Sequence, residues 1–399
     1  MNESSVYDAV VVGGGPAGAT AATRLAEDGH SVVLLDRAGR IKPCGGAIPP
    51  RLIKDFAIPT SLLCARARSA RIVAPSARTV DMPIENGFVG MVDREVFDEF
   101  LRRRAEAQGA ERRTGRYEGI TRDEPGVATV HYVEGGAQGR TEGRARTVRA
   151  RMVVGADGAR SQVAKQEVPG GANVPCVYAY HEVVETPDND FDGSRCDVIY
   201  RGATSPDFYG WVFPHGSKVS VGTGSARKGF GIRRSVQELR SLSGLDRVRT
   251  VRREGAPIPM RPLKRWDNGL DVVLAGDAAG VVAPASGEGI YYAMFGGQAA
   301  AEAGHRFLSE GDPRTLRHAR KRFMKAHGRV FWILGMMQWF WYCSDRRRER
   351  FVSMCADKDV QRLTWEAYMN KELVRAQPSA HFRIFCKDMA HLLGFVSAS

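Results

Sequence analysis

A glycine-rich turn between a strand pattern and a helix pattern constrains the fold of this chain more than any other feature. The stretch YDAVVVGGG (residues 7–15) is typical of a buried parallel strand that ends in glycines. PAGATAATRLAEDG (16–29) predicts a helix closed by Gly29, and SVVLLDR (31–37) predicts a second buried strand. Because two parallel strands joined by a helix form a βαβ unit, we expect the chain to contain a parallel sheet.

The glycines of this turn have the spacing of a dinucleotide-binding signature. Gly13, Gly15 and Gly18 match G-x-G-x-x-G, which permits a tight turn and lets backbone amides approach a pyrophosphate at the helix N-terminus. Asp36 ends the next strand, 18 residues beyond Gly18, close to the position of a carboxylate that binds a ribose hydroxyl. A chance glycine-rich turn would lack this context, so the sequence predicts a nucleotide site.

Two further glycine–aspartate clusters follow predicted strands. VVGADGARSQV (153–163) carries Asp157, and LAGDAAGVVAPASGEG (274–289) carries Asp277 just before a helix. Three strand-end sites at one edge of a sheet suit a long flavin dinucleotide better than a transient nicotinamide. Asp277 is expected near the ribityl or pyrophosphate region, and the helix that begins near Gly287–Ile290 would point its positive end at the flavin pyrimidine. For each aspartate taken separately, a helix cap is the alternative.

The remaining patterns predict a discontinuous nucleotide domain. Residues 93–110 are typical of an amphipathic helix capped by Asp93, and a β-meander is predicted near 116–120, 127–133 and 145–155. A length of 399 residues favours two domains or one composite domain. We expect three regions, which are an FAD-binding domain (1–170 and 259–305), a substrate-binding sheet domain (171–258) and a helical C-terminal region (306–399).

The charge and the cysteines limit the partners and the compartment. The formal net charge of +13 favours acidic partners such as phosphorylated cofactors or anionic lipid, and without a zinc-finger or RNA-recognition signature we expect no nucleic acid partner. The seven cysteines are an odd number without a CxxC pair, and no export signal precedes the first strand. We therefore expect reduced thiols in the cytoplasm, without a disulfide or metal role for Cys44.

One apolar segment allows two interpretations. VFWILGMMQWFWYC (330–343) is too short to cross a bilayer, and it lies between KRFMKAHGR and DRRRER. Its Trp, Phe and Met residues suit an interfacial helix that dips into an anionic leaflet. A buried helix that packs on the nucleotide domain is the alternative, because short apolar runs are ambiguous.

Several motifs together resemble a known group of flavoenzymes. The glycine signature, GADG, GDAAG…P…GEG and MVDR ending at Arg94 are similar to FAD enzymes of the p-hydroxybenzoate hydroxylase type. KPCGG (42–46) and YGWVFPHGSKVSVGTG (209–224), which fits Y-x-W-x-F-P, seven residues and G-x-G, resemble the geranylgeranyl reductases. GRIKPCGGAIPP, SPDFYGWVFPHG, LTWEAYMNKELVRAQP and KDMAHLLG resemble the chlorophyll and bacteriochlorophyll branch of that family. The resemblance covers essentially the whole chain.

The resemblance implies a fold, a reaction and a set of partners. The fold is a Rossmann-like α/β FAD-binding domain with an antiparallel-sheet substrate domain and a helical C-terminal region. The reaction is reduction of three isolated double bonds of a geranylgeranyl chain to phytyl, on geranylgeranyl bacteriochlorophyll or chlorophyll, or on free geranylgeranyl diphosphate. NADPH is the implied electron donor and would visit the flavin transiently, since the sequence has no second G-x-G-x-x-G; some relatives use ferredoxin. We expect a bacterial enzyme, peripheral on the cytoplasmic face of the photosynthetic membrane, with pigment-synthesis enzymes such as the pigment synthase as further partners.

The resemblance also assigns the cofactor site. Gly45 and Gly46 would let the backbone of the KPCGG loop approach the flavin ring, because glycine lacks a side chain. The full set of expected cofactor-binding residues is Gly13, Gly15, Ala17, Gly18, Asp36, Arg37, Gly45, Gly46, Arg94, Asp157, Gly158, Gly276, Asp277, Gly287, Gly289 and Ile290.

The predicted catalytic residue is Cys44, which would face the alkene; packing of a small residue in a tight loop is the alternative. By chemistry the proton donor could also be Tyr209, His215, Glu288 or an ordered water. Alternate aromatic residues from 209 to 213 would share one face of a strand and line an apolar tunnel, or else form a core stripe. The expected substrate-binding residues are Tyr209, Trp211, Phe213, Pro214, Gly222 and Gly224.

Two rival functions fit parts of the sequence. A flavin-dependent aromatic hydroxylase would use the same fold but needs oxygen, and the Y-x-W-x-F-P and KPCGG elements argue against it. A pigment carrier that holds flavin without turnover is the non-enzymatic rival. Both rank below the reductase.

Overall fold

The computed structural model describes residues 5–37, 41–85, 87–135, 143–188 and 191–371. The chain divides into two compact units. The first unit comprises Met1–Lys42, Arg94–Cys176 and Pro257–Phe331; the second comprises Pro43–Asp93, Val177–Ala256 and Trp332–Ser399. Both units are discontinuous in sequence.

The described residues form strands and helices in the following order. The strands are β1 (Val6–Val12), β2 (Val32–Asp36), β3 (Ala47–Ile48), β4 (Leu63–Ala67), β5 (Ser69–Val73), β6 (Thr79–Pro83), β7 (Val89–Val92), β8 (Glu111–Glu124), β9 (Val127–Glu134), β10 (Arg144–Gly155), β11 (Cys176–Glu185), β12 (Arg195–Ile199), β13 (Gly210–His215), β14 (Lys218–Ser225), β15 (Thr250–Pro259) and β16 (Val272–Leu274). The helices are α1 (Pro16–Glu27), α2 (Pro50–Asp55), α3 (Arg94–Ala107), α4 (Gln162–Glu167), α5 (Ile232–Leu242), α6 (Ile290–Glu310), α7 (His318–Trp341), α8 (Asp345–Met354) and α9 (Lys358–Asn370).

The first unit is built on a sheet whose centre is parallel. Strand β1 pairs in parallel with β2 and β10, β2 with β8, and β10 with β16. The apolar runs of these strands are buried, as expected for a parallel sheet covered on both faces. Strands β8 and β10 extend beyond this region and pair in antiparallel fashion with β9, which confirms the predicted meander.

The parallel strands end together at one edge. Val12 lies in register with Leu35 on β2 and with Gly155 on β10, and Gly155 lies in register with Leu274 on β16. The glycine turn, Asp36 and both glycine–aspartate clusters therefore follow strands that leave the sheet at the same edge. This confirms that the three predicted strand-end sites share an edge.

Helices α1 and α6 pack closely beside that edge. A Cβ at Gly297 would overlap the carbonyl oxygen of Ala17, and a Cβ at Gly276 would come within 2.6 Å of the Ala17 Cβ. Small residues at these three positions thus allow α1, α6 and the GDAAG turn to meet.

The second unit contains a seven-stranded sheet in the order β15-β11-β14-β13-β12-β5-β6 and a three-stranded sheet β3-β7-β4. Strand β14 pairs antiparallel with β11 and β13, and β13 pairs antiparallel with β12. Helix α5 contributes Val236 and Leu239 to an apolar core that includes Val212 and Val221 of the sheet. The range 171–258 thus supplies most of this sheet, and β5 and β6 join it from residues 69–83.

The last described part of the chain is helical, as predicted, from α6 to α9. Over the described residues, no helix combines the length and the apolarity that crossing a bilayer requires. The motif KDMAHLLG and the end of LTWEAYMNKELVRAQP lie outside the described residues.

Candidate functional site

The turn between β1 and α1 has the geometry of a phosphate cradle. Gly13 has a φ of +105°, and a Cβ there would overlap the carbonyl oxygen of Ala156. A Cβ at Gly18 would overlap the carbonyl oxygen of Gly13, so the helix starts directly against the turn. A Cβ at Gly15, in contrast, meets no atom within 4 Å, and Gly15 is the N-cap of α1 without a side-chain cap. Backbone N–H groups at this helix end are therefore available to a pyrophosphate, as the dinucleotide signature requires.

Asp36 lies beside the cradle at the end of β2. Its carboxylate accepts a hydrogen bond from the backbone N–H of Gly14, and burial raises its pKa. Arg102 of α3 reaches the same place, because its Nη1 lies 3.3 Å from the Gly14 carbonyl oxygen and 3.5 Å from Asp36 Oδ2. The sequence analysis missed this contact, because no local pattern marks Arg102 as a neighbour of the glycine turn. The exposed Arg37 follows Asp36 directly.

Asp157 binds the first turn of α4, whose N-cap is Ser161. Its carboxylate accepts hydrogen bonds from Ser161 Oγ at 2.5 Å and from the backbone N–H of Gln162 at 2.6 Å, at the start of α4. Burial raises the pKa of this carboxyl group. Gly158 has a φ of +87°. We expect any contribution of this cluster to cofactor binding to come from its backbone.

Asp277 forms an ion pair with Lys42 that the sequence analysis missed. The Lys42 ammonium contacts Asp277 Oδ2, and the aspartate is buried while the lysine side chain is 36% exposed. Lys42 is the first residue of the KPCGG motif, so the motif contained a signal for this pair. The sequence analysis considered only the cysteine and the glycines of the motif. The ion pair neutralises a buried carboxylate that would otherwise repel a dinucleotide pyrophosphate at this strand edge.

The side chain of Glu288, which precedes α6, binds the first turn of that helix. Glu288 Oε1 accepts a hydrogen bond from the backbone N–H of Tyr291 at 3.0 Å, and Gly289 is the N-cap that precedes Ile290. Gly287 has a φ of +64°, which favours glycine. The buried Glu288 carboxylate thus stabilises the helix N-terminus.

Arg94, which the MVDR motif assigned to the cofactor, is buried at the start of α3. Its guanidinium forms two hydrogen bonds of 2.8 Å with the carboxylate of Asp98, four residues along the helix. Both side chains belong to the first unit.

In the second unit, Gly45 and Gly46 of the KPCGG motif lie against the end of β13. A Cβ at Gly45 would come within 3.2 Å of Phe213 Cδ2, and a Cβ at Gly46, whose φ is +70°, would come within 2.6 Å of His215 Nε2. The Gly46 N–H donates to Cys44 Sγ at 3.4 Å. The fold therefore brings together the catalytic and substrate-binding residues that the two motifs predicted.

The alternating aromatic residues around β13 share one face, as predicted. The ring centroids of Tyr209 and Trp211 are 6.1 Å apart, and those of Trp211 and Phe213 are 6.4 Å apart. Pro214 pairs with Val219 on β14. Burial raises the pKa of Tyr209 well above its usual value.

The G-x-G element provides space for these rings. Gly222 lies directly opposite Trp211 in the β13–β14 register, and a Cβ there would overlap the indole. A Cβ at Gly224 would come within 3.1 Å of the ring of Phe208. The two glycines are therefore needed for aromatic packing across β14.

Comparisons with known proteins agree with this description. A family model for an FAD binding domain matches residues 77–301, and one for an NAD(P)-binding Rossmann-like domain matches residues 11–58. A geranylgeranyl diphosphate reductase of Rhodobacter capsulatus is 56% identical over 392 residues, which cover 98% of this chain and 98% of that protein.

Two solved structures share the fold. A geranylgeranyl bacteriochlorophyll reductase-like protein from Thermoplasma acidophilum has a TM-score of 0.81 at 21% identity, over 94% of this chain and 99% of that one. A p-nitrophenol 4-monooxygenase from Pseudomonas putida has a TM-score of 0.66 at 16% identity, over 96% and 98% of the two chains. These matches confirm the predicted FAD-binding fold of the p-hydroxybenzoate hydroxylase type.

The environment of His215 predicts a pH-dependent stability. Burial lowers the pKa of His215 from 6.5 to about 4, so the folded chain keeps this imidazole neutral while the unfolded chain protonates it below pH 6.5. The unfolded state therefore binds more protons between pH 6.5 and 4, and stability falls as the pH falls through this window. Between pH 7 and pH 4.5, the free energy of unfolding of the wild type should therefore fall by about 2 kcal/mol more than that of His215→Gln.

Urea unfolding of both proteins at the two pH values measures this difference. In histidine-labelled protein, the NMR signal lost in His215→Gln should titrate only below pH 5. Titration of that signal near pH 6.5 would contradict the lowered pKa of His215.

Proposed function

The chain belongs to the geranylgeranyl diphosphate reductase family, and we propose that it reduces three isolated double bonds of a geranylgeranyl chain to give phytyl. We propose geranylgeranyl bacteriochlorophyll or chlorophyll as the substrate, with free geranylgeranyl diphosphate as the alternative. The 56% identity to the Rhodobacter capsulatus enzyme over 98% of both chains is the observation that carries this proposal.

The residues of the first unit suit an FAD molecule. We propose that the turn at Gly13, Gly15 and Gly18 binds the pyrophosphate and that Asp36 accepts hydrogen bonds from a ribose. The ion pair with Lys42 neutralises Asp277, so this buried carboxylate does not repel the cofactor. Bound and reduced, the flavin supplies the hydride that an unactivated alkene needs. The chain must then orient the prenyl substrate, exclude water and provide a proton.

We assign proton delivery to Cys44. The alternatives from the sequence are weaker: Tyr209 has a raised pKa, His215 is neutral above a pKa of about 4, and the Glu288 carboxylate caps α6. A thiol in a loop held by glycines against Phe213 can reach a substrate that lies along the aromatic face. The thiol proton would be added to one alkene carbon as hydride is added to the other, and the resulting thiolate is reprotonated from solvent.

Replacing Cys44 by Ala tests this role. Reduced enzyme is mixed with a geranylgeranyl substrate without oxygen, and flavin reoxidation is followed in a single turnover. We expect the rate to fall by roughly 10²-fold or more, the usual contribution of a positioned acid. Cys64→Ala is the matched control, because Cys64 is an exposed thiol of the same unit. An unchanged rate in Cys44→Ala would remove the thiol as the donor.

NADPH is the electron donor that we propose, with reduced ferredoxin as the alternative. The whole activity is tested by expressing the chain in a host that lacks its own reductase and analysing its pigments by mass spectrometry. We expect phytylated pigment in place of the geranylgeranyl form. With purified protein, NADPH should bleach the flavin and drive double-bond reduction without oxygen, which a hydroxylase could not do.

Accumulation of only the geranylgeranyl pigment would contradict the proposed function. Bleaching by reduced ferredoxin but not by NADPH would instead replace the electron donor and leave the reductase assignment in place.

We further propose that helix α7 binds the membrane surface. Trp332, Met336 and Trp339 are 64%, 45% and 77% exposed, and their spacing of four and three residues places them on one side of the helix. The exposed Arg346 of α8 follows close in sequence. Exposed indole rings next to basic residues suit the headgroup region of an anionic leaflet, where a lipophilic substrate would be found.

Replacing both Trp332 and Trp339 by Ser should weaken this binding. We expect co-sedimentation with liposomes that contain anionic phospholipid to fall by about tenfold or more, because two interfacial indoles are lost. Leu242→Ser is the control, since Leu242 is 64% exposed on α5. Undiminished co-sedimentation of the double variant would count against the membrane role.

A further inference from the structure

A chain of hydrogen-bonded side chains crosses four neighbouring strands of the second unit. His181 on β11 lies 3.0 Å through Nε2 from Glu254 Oε2 on β15, and 2.9 Å through Nδ1 from Ser220 Oγ on β14. The indole N–H of Trp211 on β13 donates to the same Ser220 Oγ at 3.1 Å. A carboxylate, an imidazole, a hydroxyl and an indole thus form one continuous relay.

The donors and acceptors of this relay have one consistent direction. An indole N–H can only donate, so Ser220 Oγ accepts from Trp211. With the proton of a neutral His181 on Nε2, the Ser220 hydroxyl donates to Nδ1 and the Nε2–H donates to the Glu254 carboxylate. At the Glu254 end of the relay, Arg252 forms an ion pair with the carboxylate, with 3.3 Å between its Nε and Glu254 Oε1. Every member of the relay has a partner in this arrangement.

The relay is inside the sheet and not on its surface. Ser220 is 1% exposed, and His181 and Trp211 are also buried. Buried polar groups destabilise a fold unless they are paired, and an apolar residue at position 220 would avoid that cost. A relay of this kind fixes a side chain in one orientation, because rotation of any member leaves a buried polar atom without its partner.

The indole of Trp211 is held at a second point. Gly222 is the direct cross-strand neighbour of both Trp211 and His181, and a Cβ there would overlap the indole Cζ2 and approach the His181 Cβ to 2.5 Å. The six-membered ring of the indole therefore occupies the space above Gly222. Contact with Gly222 and the hydrogen bond to Ser220 together define the position and the rotation of the ring.

We infer that Glu254, His181 and Ser220 are positioning residues that lock the Trp211 indole and thereby determine how far the prenyl chain is reduced. The inference rests on the proposed function, in which the prenyl chain lies along the aromatic face that Trp211 shares with Tyr209 and Phe213. An isoprenoid chain carries no polar groups along its length, so only the shape of its apolar surroundings can hold one double bond after another in place. An indole free to rotate would allow the chain to bind out of register.

The test compares Ser220→Ala with Ser235→Ala. Both serines are buried in the second unit, but Ser235 donates to the Thr204 carbonyl oxygen and is outside the relay. The indole N–H signal of Trp211, assigned through its loss in Trp211→Phe, is followed by NMR of the full chain. We expect about tenfold faster hydrogen exchange of this signal in Ser220→Ala, as for one lost buried hydrogen bond, and no change in Ser235→Ala.

The products give the second readout. Ser220→Ala should raise the fraction of partly reduced prenyl chains about threefold or more, because the Trp211 indole contacts the prenyl chain. The rate of flavin reduction by NADPH should stay unchanged, since that step does not involve the prenyl chain. Glu254→Gln keeps an acceptor for His181 and should lie between wild type and Ser220→Ala in both measurements.

Unchanged hydrogen exchange of the indole in Ser220→Ala would contradict the claim that the relay holds Trp211 in place. Equal effects in Ser235→Ala would show that both substitutions only lower the stability of the unit. Faster exchange with unchanged product proportions would overturn the link to the extent of reduction. If the wild-type enzyme reduces no prenyl chain, the proposed function fails, whereas the exchange measurement still decides whether the relay orients Trp211.

Discussion

The common end of the parallel strands is the constraint on which the nucleotide site depends. Val12 is in register with Leu35 and Gly155, so the glycine turn and the strand-end carboxylates leave the sheet at one edge. One residue of shift along a strand is about 3.3 Å, which would move a strand-end group out of hydrogen-bonding reach of its neighbour. Burial of the apolar strands therefore does more than stabilise the first unit, because it also fixes the relative positions of the groups that can hold a dinucleotide.

At that edge, similar carboxylates have different tasks because their partners differ. Asp157 accepts hydrogen bonds from the first turn of α4, and Asp277 is paired with Lys42. Asp36 lies between the Gly14 backbone and Arg102. A buried carboxylate needs such partners, since an unpaired charge in the interior is costly. The motifs alone could not distinguish these tasks, because the G-D pattern is the same whether the side chain caps a helix or faces a ligand.

Local patterns predicted much of the fold. The βαβ unit, the meander and the shared face of Tyr209 and Trp211 follow from hydrophobic periodicity and glycine spacing, which act over a few residues. The contacts that the sequence missed join distant positions: Lys42 and Asp277 are 235 residues apart, and His181 and Glu254 are 73 residues apart. Such pairs depend on how strands and loops meet in three dimensions, and a single sequence carries no signal for them.

In the second unit, the two faces of the sheet have different neighbours, and this difference keeps the polar side chains of the relay together. Val212 and Val221 pair with each other and pack against α5, whereas their chain neighbours Trp211 and Gly222 pair on the opposite face. A slip of one residue between β13 and β14 would exchange the faces and bury polar groups against α5. The apolar core thus fixes the register, and the register aligns Ser220 with the indole. The position of Trp211 therefore depends on packing at the other side of the sheet, where Val212 and Val221 contact α5.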